Sequence, residues 1–167
     1  RKIHDIYIQG EHQVFGVAWG PDKHTILVSL DISGQSSLRL VDIASGQVSE
    51  ALVEGSEYGL FSSTGQLYFT KNLKKGLWTL QGGEIKLVQP EFNVMTDMSW
   101  SLVGDYAYNL AYREGRIDVD RVNLDTGEFL SINVLKGKKS LSIAVDDEEN
   151  IYLGVYHESS TNIVKLD

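Results

Sequence analysis

Carboxylates are the residues whose type and spacing come nearest to a catalytic or metal-binding pattern. Asp125-Thr126-Gly127 matches the core of the aspartic-protease motif, but that chemistry needs two such loops, and the chain has one. Asp146-Asp147-Glu148-Glu149 offers the oxygen ligands that Ca²⁺ prefers, without the spacing of an EF-hand. Asp118 and Asp120 share a face of a predicted strand, where they mark an exposed edge or a channel-facing site. Polar turns are the favoured interpretation of the first two patterns, and a structural role is favoured for the Asp pair.

Other reactive residue types form no recognisable site either. The histidines are His4, His12, His24 and His157, and no two have the i, i+4 spacing of a helical metal site. The chain has no cysteine, no Gly-x-Ser-x-Gly elbow and no phosphate-cradling glycine loop. These residues therefore predict no catalytic, cofactor-binding or metal site.

Charge and hydropathy limit the partners. The 167 residues carry a net charge of −8, with a pI of about 4.9, which argues against nucleic-acid binding by this segment. Its small lysine clusters, Lys71/Lys74/Lys75 and Lys136/Lys138/Lys139, fall in predicted turns. No run approaches the ~18 apolar residues of a membrane span. The partners considered for this chain are therefore a protein, a second copy of the chain through self-association, or a small-molecule signal.

A repeat organises the chain. A large residue precedes each of four polar turns, at Trp19, Phe61, Trp100 and Val145, with separations of 42, 39 and 45 residues. Periods of about 40–45 residues with several short strands are typical of propeller blades. The predicted repeats cover residues 14–53, 57–89, 96–135 and 140–167 of a single domain, with 3–9 as an extra strand.

Each of the three complete repeats reads as four short strands and their connections. In the first, these strands are Val14–Trp19, Thr25–Leu30, Leu38–Ile43 and Gln47–Val53; in the third, the first strand is Met98–Trp100. Gly46, Gly83 and Gly127 end third strands, where a tight hairpin needs a positive φ. Longer polar loops are predicted at Asp31–Ser37, Asn72–Gly76, Arg113–Arg116 and His157–Thr161, and together they form one candidate binding rim.

The predicted fold class is an all-β, propeller-like domain of about four blades. Three blades are complete, and one is split between the termini, where Ile3–Gln9 supplies a strand. The alternative is a slice of a larger propeller. The repeat positions of Trp19 and Trp100 predict core packing, whereas Trp78 either packs between blades or is exposed for ligand stacking.

Several turns resemble those of a known family. Trp19-Gly20-Pro21-Asp22-Lys23 resembles the Trp-Ser-Pro-Asp-Gly turn of TolB-type propeller repeats. Val41-Asp42-Ile43-Ala44-Ser45-Gly46 and Val122-Asn123-Leu124-Asp125-Thr126-Gly127 are similar to their Asp-Leu-x-Thr-Gly turn. The pattern Leu-Tyr-Phe-Thr-Lys…Gly-Leu-Trp…Gly-Gly-Glu, at Leu67–Glu84, looks like that of TolB-like propellers fused to winged-helix regulators of the CadC/ToxR type.

The resemblance implies a non-enzymatic sensory or protein-interaction module. It would be the extracytoplasmic, periplasmic C-terminal part of a membrane-anchored transcriptional regulator. The alternatives are the propeller of a prolyl-oligopeptidase-type peptidase, whose chemistry sits on a separate domain, and a TolB-like periplasmic scaffold. Fold alone does not choose among them.

Overall fold

Antiparallel β-strands account for all the regular structure that the computed structural model describes. The described residues are 12–72, 74–94, 99–136, 139–157 and 160–166. Within these ranges there are fifteen strands and no helix. The predicted strand Ile3–Gln9 and residue Met98 lie outside them.

The strands form four separate sheets that follow one another along the chain. Sheet one contains β1 (His12–Trp19), β2 (Thr25–Ile32), β3 (Gln35–Asp42) and β4 (Val53–Glu54). Sheet two contains β5 (Ser56–Phe61), β6 (Leu67–Lys71), β7 (Lys74–Gln81) and β8 (Glu84–Gln89). Sheet three contains β9 (Trp100–Val103), β10 (Tyr106–Arg113), β11 (Arg116–Asn123) and β12 (Phe129–Lys136). Sheet four contains β13 (Lys139–Val145), β14 (Ile151–His157) and β15 (Ser160–Leu166).

Each sheet is a meander, because neighbours in the sheet are also neighbours in sequence. A repeated meander of short antiparallel strands is the architecture of a propeller blade. The predicted all-β, propeller-like fold class is therefore confirmed.

The repeat is more regular in the structure than the sequence suggested. Trp19, Phe61, Val103 and Val145 are the last residues of the four first strands, and each is 42 residues from the next (19 to 61, 61 to 103, 103 to 145). Val103, and not Trp100, therefore occupies the end of the first strand in sheet three. Trp100 begins β9, because Gly104-Asp105 alone makes the turn and Val103 pairs directly with Tyr106.

A β-bulge recurs with the same period. The register of β1 shifts around Phe15, that of β5 around Glu57 and that of β13 around Leu141. Glu57 lies 42 residues after Phe15, and Leu141 lies twice that distance after Glu57. An extra residue bends and twists a strand at a fixed place, so the first strands of these sheets share one local distortion.

The predicted long loops between second and third strands are wrong. Sheets one and three have two-residue turns there, with φ of 57° and 82° at Ser33-Gly34 and of 49° and 75° at Glu114-Gly115. Positive φ at both positions gives the type I′ turn, whose twist matches that of the strands. The polar residues predicted as loop therefore continue the strands. In sheet two, β7 already begins at Lys74.

The predicted fourth strand Gln47–Val53 is also wrong in extent. Only Val53–Glu54 is a strand, and Val48 makes an isolated bridge to Val41. Ser49 explains the interruption, since its hydroxyl accepts a hydrogen bond from the Leu40 amide (3.0 Å) in place of a backbone carbonyl. A serine side chain that competes for backbone donors breaks a regular ladder.

The chain divides into two compact units. The first comprises Arg1–Lys74 with Thr79–Lys86. Its core includes Leu27, Leu38 and Phe69, each at most 2% exposed. A Cβ on Gly59 would lie 2.6 Å from the Leu38 Cδ1 atom, so the absence of a side chain on β5 lets these two sheets approach.

The second unit comprises Lys75–Trp78 with Leu87–Asp167. Sheet three packs on sheet four through apolar residues of β10, β11, β13 and β14. The fully buried members are Tyr108, Leu110, Ile117, Val119, Ile143, Leu153 and Val155. On the other side of sheet three, the rings of Phe92 and Trp100 meet edge to face at 5.8 Å. Burial on both sides explains why consecutive residues are buried in the middle of these strands, at 107–111 of β10 and 117–120 of β11.

Candidate functional site

A polar cleft in the first unit joins two of the segments predicted as a binding rim. Its volume is about 640 Å³, and it is lined by Gly34, Gln35, Ser36, Glu54, Gly55 and Asn72. The first three come from the predicted segment Asp31–Ser37, and Asn72 begins the predicted segment Asn72–Gly76. Glu54 and Gly55 come from the short β4 and the residue after it.

Backbone hydrogen bonds position the cleft walls. Gly34 donates its amide to the Asp31 Oδ1 atom (2.7 Å), which holds the hairpin tip of sheet one. Gly55 donates to the Ser36 carbonyl (2.8 Å) and accepts from the Asn72 amide (3.0 Å), so one residue ties both hairpins together. Its φ of 69° favours glycine. The site is thus built on rigid strand ends.

The chemistry of the cleft suits recognition of polar groups. Glu54 is exposed and is the one charged residue among the six that line it. The two glycines leave backbone open to close approach by a partner. The exposed Gln35 adds an amide that both donates and accepts hydrogen bonds. The cleft can therefore hold a polar or basic segment, and it presents no nucleophile and base in mutual contact.

The third predicted rim segment, Arg113–Arg116, belongs to a buried ion-pair cluster in the second unit. Arg113 donates to both carboxylate oxygens of Asp120, at 2.8 and 2.7 Å. Asp118 accepts from Arg113 (3.4 Å) and from the Arg116 Nε atom (3.1 Å). Asp118 and Asp120 are 1% and 0% exposed, so their predicted place at an exposed edge is wrong.

The positive and negative charges of this cluster balance one another. Two guanidinium groups face two carboxylates, and the Asp120 pair has the bidentate geometry of strong charge-assisted hydrogen bonds. The hydrogen bonds that Arg113 donates to Asp120 raise the pKa of Arg113 above its ordinary value. Since their oxygens are occupied, these buried carboxylates of β11 hold the two strands of the β10–β11 hairpin together. The fourth segment, His157–Thr161, includes residues 158 and 159, which lie outside the described ranges.

Two residues of the acidic run Asp146–Glu149, the first and the last, accept hydrogen bonds with different structural roles. Asp146 accepts hydrogen bonds from the Asn150 side chain (2.9 Å), the Glu148 amide (3.1 Å) and the Tyr152 hydroxyl (3.1 Å), and the Asn150 bond is the main cause of its lowered pKa. Glu149 accepts from the Tyr108 hydroxyl at 2.9 Å. The described residues contain no group of three or more metal-ligating side chains.

The pKa of Tyr108 lies well above its ordinary value. Burial, followed by the hydrogen bond to Glu149, raises its pKa to about 12. Arg121 lies nearby, 3.6 Å from the Glu149 carboxylate and stacked over the Tyr106 ring at 4.6 Å. This group joins sheet three to the first turn of sheet four, and nothing in it resembles an acid and a base with opposed pKa shifts.

The remaining sequence candidates lie in turns or packing positions. Asp125-Thr126-Gly127 is a turn in which the Asn123 side chain accepts from the amides of Asp125 and Thr126. Gly46, Gly83 and Gly127 have φ of 72°, 85° and 71°. The His24 backbone carbonyl accepts from the Ile43 amide (2.9 Å); His4 lies outside the described ranges.

The tryptophans differ in environment. Trp100 is 4% exposed, whereas Trp19 is 73% exposed, so the prediction of core packing is wrong for Trp19. Trp19 shares an open face of β1 with Val17, which is 65% exposed. Sequence reasoning missed this surface, because an apolar strand residue predicts burial equally on either face. Trp78 is half-buried.

Within the described ranges, no helix has the length and apolar character needed to cross a bilayer. No known family model matches the chain.

Comparison with solved structures shows the fold. TolB from Acinetobacter baumannii is similar with a TM-score of 0.71 and 16% identity, over 93% of this chain and 41% of that one. A prolyl endopeptidase structure is similar with a TM-score of 0.55 and 15% identity, over 93% of this chain and 27% of that one. At these identities the likeness concerns the fold, which is that of a TolB-like β-propeller.

A curated relative is similar in sequence. The peroxisomal ATPase PEX6 of Komagataella pastoris is 25% identical over 171 residues, which cover 99% of this chain and 13% of that protein. The chain thus spans about an eighth of the length of that relative and less than half of the TolB chain.

Proposed function

We propose that this chain is a non-enzymatic protein-interaction or sensory module that binds its partner at the polar cleft of the first unit. The observation that carries the proposal is the meeting of two hairpin segments at one cleft of about 640 Å³, held by the double hydrogen bonding of Gly55. The partner group best suited to it is polar or basic, because Glu54 is the charged residue in its lining.

The resemblance of the pattern at Leu67–Glu84 to TolB-like propellers fused to winged-helix regulators supports a more specific context. In that context the chain is the extracytoplasmic, periplasmic part of a membrane-anchored regulator, and it senses a small molecule or self-associates while a separate domain binds DNA. The net charge of −8 is consistent with that division, since DNA contact needs a basic face.

Site-specific photo-crosslinking tests the cleft. A photoreactive amino acid at Gln35 of the full-length native protein, expressed in its own cells, is expected to yield a defined adduct that Glu54→Lys abolishes. The matched control is the same amino acid at Glu84, an exposed residue of β8, with Glu84→Lys as the matched charge reversal. Equal adducts at both positions, or none at Gln35, would overturn the assignment.

A peptidase context is the second candidate, favoured by the structural likeness to the prolyl endopeptidase. Its distinguishing property is a separate α/β-hydrolase domain with a nucleophile elbow on the native polypeptide. Intact-mass measurement and peptide mapping of the native protein decide between the two: a hydrolase domain supports the peptidase, and a winged helix with one hydrophobic span supports the regulator.

A further inference from the structure

Ser36 lines the polar cleft, and its hydroxyl makes no hydrogen bond to any described residue although the residue is only 6% exposed. It pairs with Asp31 across the β2–β3 hairpin and shares a face of β3 with Leu38. That face looks toward β5, since a Cβ on Gly59 would lie 2.6 Å from the Leu38 Cδ1 atom. The hydroxyl therefore points between sheets one and two, where a ligand in the cleft can reach it. A buried hydroxyl without a partner costs free energy, which a bound polar group would recover.

Carboxylates surround this hydroxyl without cations to balance them. Glu54 lines the cleft, and Asp31 is the cross-strand partner of Ser36. On the sheet-two side, Glu57 accepts a hydrogen bond from the Asn72 Nδ2 atom at 2.7 Å. Among the described residues, no lysine or arginine forms an ion pair with any of these three carboxylates. Their negative potential favours a cation in the cleft.

The acceptors of the cleft come from three different segments. Gly55 is hydrogen-bonded to the backbone of both Ser36 and Asn72, so these segments lie side by side with Glu54 between them. The Asn72 Nδ2 atom is held by Glu57, which leaves the Oδ1 atom as the acceptor. A ligand that satisfies a hydroxyl, a carboxylate and an amide oxygen on separate segments must donate hydrogen bonds in several directions.

We propose that the cleft binds a guanidinium group, supplied by an arginine of a partner protein or by a free guanidino compound. A guanidinium spreads five N–H donors over a plane and is weakly hydrated, whereas an ammonium group is a compact and strongly hydrated charge. A Cβ on Gly34 or Gly55 would meet nothing within 4 Å, so the walls leave room for a planar group. This inference rests on the proposed function and specifies the group that the cleft recognises.

The arginines that the structure describes are already bound elsewhere. The chain has five arginines. Arg39 donates to the Ser37 hydroxyl and to the Ser49 carbonyl, both at 3.1 Å. The other three described arginines form ion pairs with carboxylates of the second unit, and they are Arg113, Arg116 and Arg121. Arg1 lies outside the described residues, and the experiment includes a variant at that position.

An NMR titration of the full chain with three blocked tripeptides tests the chemistry. Each tripeptide has glycine on both sides of a central arginine, lysine or citrulline, and the amide signals of Gly34, Ser36 and Gly55 report binding at the cleft. We expect the arginine peptide to bind, and the lysine peptide to bind about tenfold more weakly because it makes fewer charge-assisted hydrogen bonds. Citrulline keeps the shape without the charge and should not bind.

Arginine amide, added by itself, separates the two sources of the group. Affinity equal to that of the arginine peptide assigns the guanidinium to a free compound, and tighter binding of the peptide assigns it to a protein side chain. Equal affinity of the arginine and lysine peptides, or no shift with the arginine peptide, would overturn the proposal.

Two variants remove acceptors from the cleft. Ser36→Ala breaks no side-chain hydrogen bond to a described residue, so the fold remains while binding of the arginine peptide weakens about fivefold. Glu54→Gln removes the charge and should weaken binding about tenfold. Glu84→Gln, at an exposed residue of β8, is the matched control and leaves the affinity unchanged. Unchanged affinity in both cleft variants would contradict the assignment.

Arg1→Ala determines whether the chain fills its own cleft. Unchanged affinity for the arginine peptide supports an external ligand, whereas a severalfold gain would overturn it by showing that Arg1 competes for the site. The inference and the proposed function fail separately. A cross-linked adduct at Gln35 without arginine binding contradicts the guanidinium alone, and arginine binding without an adduct contradicts the partner at the cleft.

Discussion

Arg113 is the residue on which the buried charges of the second unit depend. It binds both oxygens of Asp120, while Arg116 contacts Asp118 alone. Both carboxylates are within 1% of complete burial, so removing their main cation leaves a desolvated negative charge.

Arg113→Gln is therefore expected to lower the free energy of unfolding by about 3 kcal/mol. Arg116→Gln is the matched control, with an expected loss of less than about 1 kcal/mol, because that side chain makes one contact, to Asp118, which Arg113 also contacts. Urea denaturation of both variants measures the difference. Equal losses would show that Asp120 does not depend on Arg113.

Tyr108 predicts a pH dependence at the alkaline end. Its pKa is raised from 10.0 to about 12, so the folded chain holds this proton more tightly than the unfolded chain does. Its stabilising contribution is complete below pH 10 and is lost as the pH rises toward 12.

The difference in unfolding free energy between the wild type and Tyr108→Phe should therefore shrink from pH 9 to pH 11. A constant difference for Tyr108→Phe would mean that its hydroxyl is not held by Glu149 in solution.

Among elements, the β10–β11 hairpin carries a residue in an unfavourable conformation. Glu114 has a φ of 49°, a region that asparagine adopts more readily in the first position of a type I′ turn. Glu114→Asn should raise the free energy of unfolding by about 0.5–1 kcal/mol. Gly115→Ala, where φ is 75°, should lower it, and thermal unfolding of the pair tests the turn type. The same sign for both changes would contradict it.

Strands were predictable from sequence where apolar residues alternate between defined turns. The predicted strand Val14–Trp19 lies within β1 and ends at the same residue, and Thr25–Ile32 exceeds the predicted strand Thr25–Leu30 by two residues. The errors lie where side chains change the local outcome. Two-residue type I′ turns connect the strands in sheets one and three, so residues that were predicted as loop belong to strands. The side chain of Ser49 interrupts the fourth strand of sheet one.

The site was less accessible to sequence reasoning. Asp31–Ser37 and Asn72 were chosen from their polarity, but their meeting depends on Gly55, which no pattern singled out. The burial of Asp118 and Asp120 depends on Arg113 and Arg116, which flank a turn. Because that segment is polar, the sequence predicted a loop there and not an ion-pair cluster. The exposure of Trp19 depends on which strand faces are covered by another sheet, and the repeat in the sequence alone does not determine this.

At the scale of the whole molecule, apolar surface is combined with a low isoelectric point. Trp19 and Ile163 are 73% and 80% exposed, and the net charge falls to zero near pH 4.9. Charge repulsion keeps such surfaces apart only away from that pH.

Light scattering should therefore rise sharply near pH 5 and remain low at pH 7.5. The double variant Trp19→Ser, Ile163→Thr should reduce the rise without lowering the melting temperature at pH 7.5. Ile85→Thr, at a residue that is 43% exposed, is the single-site control with a smaller effect. Scattering that is the same for all variants would assign the association to other surfaces.

The constant 42-residue spacing also bears on how such a chain can change over generations. In sheets one and three, the second and third strands are joined by two-residue tips, Ser33-Gly34 and Glu114-Gly115. The second strands of these two sheets are equal in length. A recombination event that exchanged these tips would preserve every downstream register. The tips can therefore change in sequence while the scaffold is inherited intact, which makes the repeat modular.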